Sequence, residues 1–232
     1  MNKLGIGIPI YKDLENLKDL IAEIEQAPNL PIDFYILDHG SNDEQLTNFL
    51  DSLKIPNVKT IASKENYGFG GGVKFLLQKM DNEFVGWMPG NGKVRPKDLH
   101  LVTEAFEQKV IKNAFKANRK RKSKIEDLKT GLAGFSVSLW YRANLMDSGG
   151  TPTVVRKDLV QQLLTGPDDF SFEAFVMFRL HQLGLRLDRA NVPYGSRVHG
   201  RSHWQRGFKS EMRLLLRILQ QRRIWKNLNR TH

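Results

Sequence analysis

The chain has 232 residues, 40% of them hydrophobic, enough for one sizeable α/β domain with a buried core. It contains no cysteine, which excludes disulfides and thiolate metal sites, and it shows neither a signal-like N-terminus nor an apolar run of about 18 residues, so a cytoplasmic protein is expected. The net charge of +11 is local: residues 205–232 hold eight Lys and Arg against one acid, and KNAFKANRKRKSK at 112–124 holds seven basic residues and no acid, so the remainder is net acidic.

In chain order, LGIGIPIY at 4–11 reads as a buried strand, followed by Leu14, Leu17, Leu20, Ile21 and Ile24 at helical spacing. PNLP at 28–31 ends that helix, and IDFYILD at 32–38 is a second strand running into the turn-rich HGSND. LTNFLDSL is helical, and VKTIAS is a third strand that leads to the glycine-rich NYGFGGGVKFLL at 66–77, with a helix expected from about Val73. That glycine run fits neither known phosphate loop. Val73 stands where both the Walker loop and the dinucleotide fingerprint require a glycine, and Phe75 follows Lys74 where a hydroxyl is needed. A close approach of backbone to an anion and a plain strand-to-helix turn both remain open readings.

EFVGWM at 83–88 is a fourth strand, stopped by PGNG. Strands alternating with helices at this spacing predict a mostly parallel sheet flanked by helices, with ligands beyond the carboxyl ends of the strands. Further on, 131–146 and 170–183 read as helices, the second ended by Gly184, and LRLDRANVPY reads as a strand. The last segment places Phe208, Met212, Leu215, Leu216 and Leu219 on one helical stripe and Arg206, Lys209, Arg213 and Arg217 on another.

The order of these segments resembles family 2 glycosyltransferases of the GT-A fold. IPIYKDLENL resembles the family's opening strand, ILDHGSND its "VVDDGSxD", ENYGFGGGVKFLL the segment after its third strand, and WMPGNGKVRP its metal-binding Asp-x-Asp region. The ending LGLRLDRANVPYGSRVHGRSHW is similar to that of polyprenyl- and dolichol-phosphate sugar transferases, which makes them the nearest subgroup. The resemblance implies a GT-A-like domain over 1–204 with a basic amphipathic helical extension over 205–232. It implies an inverting transferase acting on a UDP- or GDP-linked sugar. Pro9, Tyr11, Asp38, Asn66, Gly68 and Asn91 would bind the donor, with His39 replacing the usual second Asp.

At the Asp-x-Asp positions stand Pro89, Gly90 and Asn91, with Lys93 two residues on. A hard divalent cation needs carboxylate oxygens, so any Mg or Mn would be held weakly, through the donor's own diphosphate. Lys93, with Arg95, is expected to neutralise the leaving diphosphate instead. Competing readings are a site that binds without transferring and a merely solvated lysine. A sugar hydroxyl as acceptor requires a carboxylate base, for which Asp169 or Asp168 is the candidate and Glu173 the second choice. A lipid-phosphate acceptor requires no strong base. It would instead be met by Arg119, Arg121, Arg197, Ser202 and His203. The basic segment 206–230 would lie on a membrane surface, pack on the domain or form a homodimer. An RNA-binding protein using the two basic patches is the alternative from another class.

Overall fold

β1 (Leu4–Ile10) is buried along nearly its whole length, as expected for a central parallel strand covered on both faces. The computed structural model describes residues 3–108, 111–120, 124–197, 199–200 and 208–228. After β1 come α1 (Leu14–Glu25), β2 (Ile32–His39), α2 (Glu44–Ser52), β3 (Val58–Ser63), α3 (Gly68–Lys79) and β4 (Phe84–Trp87). The second half holds α4 (His100–Glu107), β5 (Ala114–Lys116), β6 (Asn118–Lys120), α5 (Lys124–Tyr141), β7 (Thr153–Arg156), α6 (Phe172–Gln182), β8 (Leu187–Asp188), β9 (Asn191–Pro193), α7 (Phe208–Gln220) and α8 (Arg222–Asn227).

Seven strands form one sheet in the order β3-β2-β1-β4-β7-β5-β8, and β6 pairs with β9 in a separate parallel ribbon. In the large sheet only β7 runs against its neighbours. The order reverses at β1, with β2 on one side and β4 on the other, so the topological switch point lies between β1 and β4. The β1–β4 register ends at Gly7↔Trp87, whereas β1 stays paired with β2 to Ile10↔Asp38. Pro9, which has no N–H to donate, therefore sits where the sheet has already opened on its β4 side.

The core lies on both faces of the sheet. One cluster joins β1 and α1 through Ile6, Ile8, Leu17 and Ile21, and the other joins α3 and α6 through Leu76, Leu77, Phe172 and Phe175. Trp225 of α8 completes the second cluster, its ring 5.2 Å from Tyr141 and 5.4 Å from Phe175.

Four local expectations change, the first being the helix expected over 131–146, which runs over Lys124–Tyr141 as α5. α3 begins at Gly68, ahead of the expected Val73, because neighbouring chain packs directly on its glycines. The strand expected over 185–194 is split into β8 and β9, which join different sheets. On α7 the packed side carries Leu214, Leu215, Ile218 and Leu219, while Met212 and Leu216 are exposed. The apolar arc of this helix is wider than one face, and its contact with Tyr141 and Trp140 selects the side that turns inward.

Candidate active site

The loops beyond β1, β2, β3 and β4 are tied into one ledge at the switch point. Asp38, near the end of β2, is buried and accepts the Ser41 N–H at 3.0 Å. The Ser41 hydroxyl accepts the N–H of Lys12, which follows β1 with a φ of 50°. His39 is buried, and its Nε2 accepts the Tyr67 N–H at 2.9 Å, which puts the imidazole proton on Nδ1. Burial lowers the His39 pKa, against the opposing charge of Asp38, so the ring stays neutral. The β4 loop closes on β1, since a Cβ at Gly90 would stand 2.1 Å from Ile10 Cδ1.

The glycine stretch serves packing. A Cβ at Gly70 would stand 2.2 Å from the Pro167 carbonyl oxygen, and one at Gly72 would stand 2.6 Å from the His39 ring. The Gly68 N–H is taken by Asn66 Oδ1 at 2.9 Å and the Gly71 N–H by the Asp168 carbonyl at 3.1 Å. Asn66 and Gly68 therefore shape a rigid wall, and these two amides are already satisfied within the protein.

Asn91 Oδ1 accepts the Lys93 N–H at 3.2 Å. Pro89 offers no side-chain donor, and no cluster of three or more His, Asp or Glu occurs among the described residues. This donor set does not fit a tightly held divalent cation. What the loop presents is positive charge. Lys93 Nζ lies 5.6 Å from the Tyr194 ring centroid, and the Arg119 guanidinium lies 5.4 Å from the same ring. Arg119 is clamped by Asp147, which accepts from its Nε at 2.7 Å, from its terminal nitrogen and from its backbone N–H at 2.8 Å. Burial works against the Arg119 charge, but Asp147 and Tyr194 together outweigh it and raise the pKa. Arg95, paired with Lys93 by sequence, is instead ion-paired with Glu23 of α1.

The expected bases separate. Asp169 Oδ1 accepts the Ser171 N–H at 2.7 Å and its hydroxyl at 2.5 Å, and Oδ2 is ion-paired with Arg217 of α7. Burial would raise the Asp169 pKa, but the Ser171 hydrogen bonds and Arg217 together hold it below the usual carboxylate range. Asp168 has a largely exposed side chain and pairs with Lys74 at 2.7 Å. Glu173 is buried. Its Oε2 accepts from the Lys116 ammonium at 2.5 Å and from Thr153 at 3.3 Å, and its Oε1 accepts from Trp87 Nε1 at 2.8 Å. Burial lowers the Lys116 pKa, against the attraction of Glu173. This knot joins α6 to the ends of β4, β5 and β7 that face the site. Its sequence signal was a lone lysine within the apolar AFKA.

Of the expected phosphate ligands, Arg197 is ion-paired with Asp13 and donates to the His199 carbonyl at 2.7 Å. With the Gly195 N–H bonded to the Lys93 carbonyl, this strap runs from the β4 loop to the start of α1. Arg121, Ser202 and His203 lie outside the described residues. Tyr194, Asp147 and Asp13 were not singled out by sequence, because each matters only through its partner.

A mostly parallel sheet flanked by helices, with its polar loops gathered at the β1/β4 switch point, matches the GT-A fold. Residues 6–164 match the family model "Glycosyl transferase family 2", and the chain belongs to that family. No curated protein matches the chain in sequence. Glucosyl-3-phosphoglycerate synthase from Mycobacterium tuberculosis, solved with Mn2+, uridine diphosphate and glucosyl-3-phosphoglycerate, is similar in fold. The TM-score is 0.70 at 13% identity, over 95% of this chain and 80% of that one. The same enzyme with Mn2+, UDP-glucose and glycerol 3-phosphate gives equal values. TarS of S. aureus gives a TM-score of 0.57 at 12% identity, over 83% of this chain and 60% of that one.

Proposed function

We propose that this glycosyltransferase moves a sugar from a uridine-diphosphate donor, bound beyond β1 and β4, to a phosphate-bearing acceptor with inversion. Lys93 and Arg119 take the part of a divalent cation. The carrying observation is the convergence of these two cations on Tyr194 beside a loop whose donor set does not fit a metal.

Transfer breaks the bond between the anomeric carbon and the donor's phosphate oxygen and forms one to the acceptor oxygen. The departing diphosphate gains negative charge, which fixed positive groups stabilise without reorganising. Arg119 is held for this by Asp147, while the Lys93 backbone is held by Asn91 and by Gly195. Asp38 would meet the nucleoside from the floor of the ledge, with Pro9, Tyr11 and Asn66 around it. If the reacting acceptor oxygen is a hydroxyl, its proton goes to Asp168, whose exposed carboxylate suits the task better than Asp169 with both oxygens engaged. An ionised phosphate oxygen, whether on a lipid or a small metabolite, has no such proton to lose. The uridine assignment and the phosphate-bearing acceptor are supported by the M. tuberculosis enzyme, solved with UDP-glucose and with phosphoglyceric acid.

Calorimetric titration with UDP, GDP and their sugar conjugates, with manganese and then with a chelator, tests this reading. UDP binding that survives chelation is expected. Binding that disappears with the metal overturns the cation substitution but keeps the donor site, and no nucleotide binding under either condition overturns the donor site itself.

A further inference from the structure

A cavity of about 390 Å3 lies away from the strand ends, lined by Phe135, Ser136, Leu139, Trp140, Arg142 and Arg222. It opens on α5, a helix that is apolar on two sides. Val137 and Tyr141 face the core, while Leu128, Leu132, Phe135 and Leu139 are all more than 60% exposed. Their spacing of four, three and four residues aligns them in one outward stripe roughly 17 Å long at 1.5 Å per residue. A stripe of that length does not span a bilayer, and no described helix is long and apolar enough to do so. Such a face is stable only when something covers it.

Charge identifies the cover. Arg142 follows the helix directly, and it lines the cavity together with Arg222 of α8. Arg222 lies 4.9 Å from the Trp140 ring centroid, and its buried Nε has no hydrogen-bond partner. Among the described residues neither Arg142 nor Arg222 is ion-paired with a carboxylate. Beside α5, α7 and α8 expose Met212, Leu216 and Ile224 among Arg213, Arg223 and Lys226. A second copy of the chain would bring these like charges together, whereas an anionic lipid surface neutralises them while its acyl region takes the apolar stripe.

We infer that α5 docks the protein on an anionic phospholipid bilayer, with Leu128, Leu132, Phe135 and Leu139 entering the acyl boundary. The cavity between Arg142 and Arg222 receives one lipid phosphate. This goes beyond the transfer reaction, because the docking face is α5 and not the basic stripe of the C-terminal segment. It also stands or falls without turnover.

Flotation of the full chain with phosphatidylcholine vesicles, with and without phosphatidylglycerol, tests it. Binding only to the anionic vesicles is expected, with partitioning weakened about tenfold or more in Phe135→Glu and in Leu132→Glu, each of which removes one apolar side chain from the bilayer contact. Arg142→Ala is expected to reduce the preference for phosphatidylglycerol. Melting temperatures near that of the parent protein would show that these exposed substitutions leave the fold intact. Binding that is equal on neutral vesicles, absent from both, or undiminished in Phe135→Glu overturns the inference. So does a dimer in light scattering that Phe135→Glu dissolves, which would assign the stripe to a second copy.

Discussion

Lys93 and Arg119, from a loop after β4 and from β6, both lie over the ring of Tyr194, at 5.6 and 5.4 Å from its centroid. Charge-assisted contacts of this kind contribute about 1.5–3 kcal/mol each when they meet an anion. Lys93→Ala is therefore expected to weaken UDP binding roughly tenfold to a hundredfold with little change in melting temperature, since Lys93 is ion-paired with no carboxylate among the described residues. Arg119→Ala should weaken binding comparably but also lower stability, because Asp147 loses its clamp. Calorimetry and thermal denaturation of both variants check this. Unchanged UDP affinity in Lys93→Ala would remove it from the donor site.

The two adjacent aspartates have separable roles. Asp169→Asn is expected to lower the melting temperature slightly, since its pair with Arg217 is partly exposed and such pairs contribute about 0–1 kcal/mol. Its ionised form contributes stability at neutral pH that is lost as pH falls through its lowered folded value. Asp168→Asn should leave stability almost unchanged and, with a hydroxyl as acceptor, reduce turnover by about 100-fold to 10,000-fold. Steady-state rates of the two variants decide between the carboxylates. The reverse order of effects would make Asp169 the base.

The Lys116–Glu173 pair can be tested by asymmetry. Lys116→Met leaves Glu173 buried with one partner fewer and is expected to cost about 3–5 kcal/mol. Lys116→Met combined with Glu173→Gln should recover much of that loss, because no uncompensated charge remains. Urea denaturation of the single and double variants measures the difference. An additive double variant would contradict the coupling.

His39 gives the fold a pH dependence of defined sign. Its folded pKa lies below the ordinary 6.5, so on acidification the unfolded chain takes up the proton first. The stability it contributes is complete above pH 6.5 and falls as the pH drops from there toward the folded value. His39→Gln keeps an acceptor for the Tyr67 N–H but does not titrate. Its melting temperature relative to the parent protein should therefore rise between pH 7.5 and pH 5.5. Parallel profiles would rule His39 out as the titrating group.

Some of this was legible from residue order alone. Apolar runs separated by helical periodicity determined β1 to β4 and their parallel arrangement, because β1, β2 and β4 are buried on both faces, β3 closes the edge of the sheet, and each crossover spans a helix. The motifs placed Asp38, Asn66 and Asn91 at the ends of successive strands. The missing acids at Pro89 and Asn91 were visible as plain substitutions.

Tertiary structure decided the rest. Residue order leaves Gly70 to Gly72 open as a ligand loop or a plain turn, and the fold packs Pro167 and Asp168, almost a hundred residues on, and His39 directly against them. Arg95 stands near Lys93 in sequence, but Glu23 draws it away, and the cation that shares the Tyr194 ring with Lys93 is Arg119. Local sequence fixes periodicity, turn chemistry and the supply of charge. Which carboxylate stays available, which cation faces the ledge and which side of a helix is left exposed depend on distant partners, whose meeting only the folded chain determines.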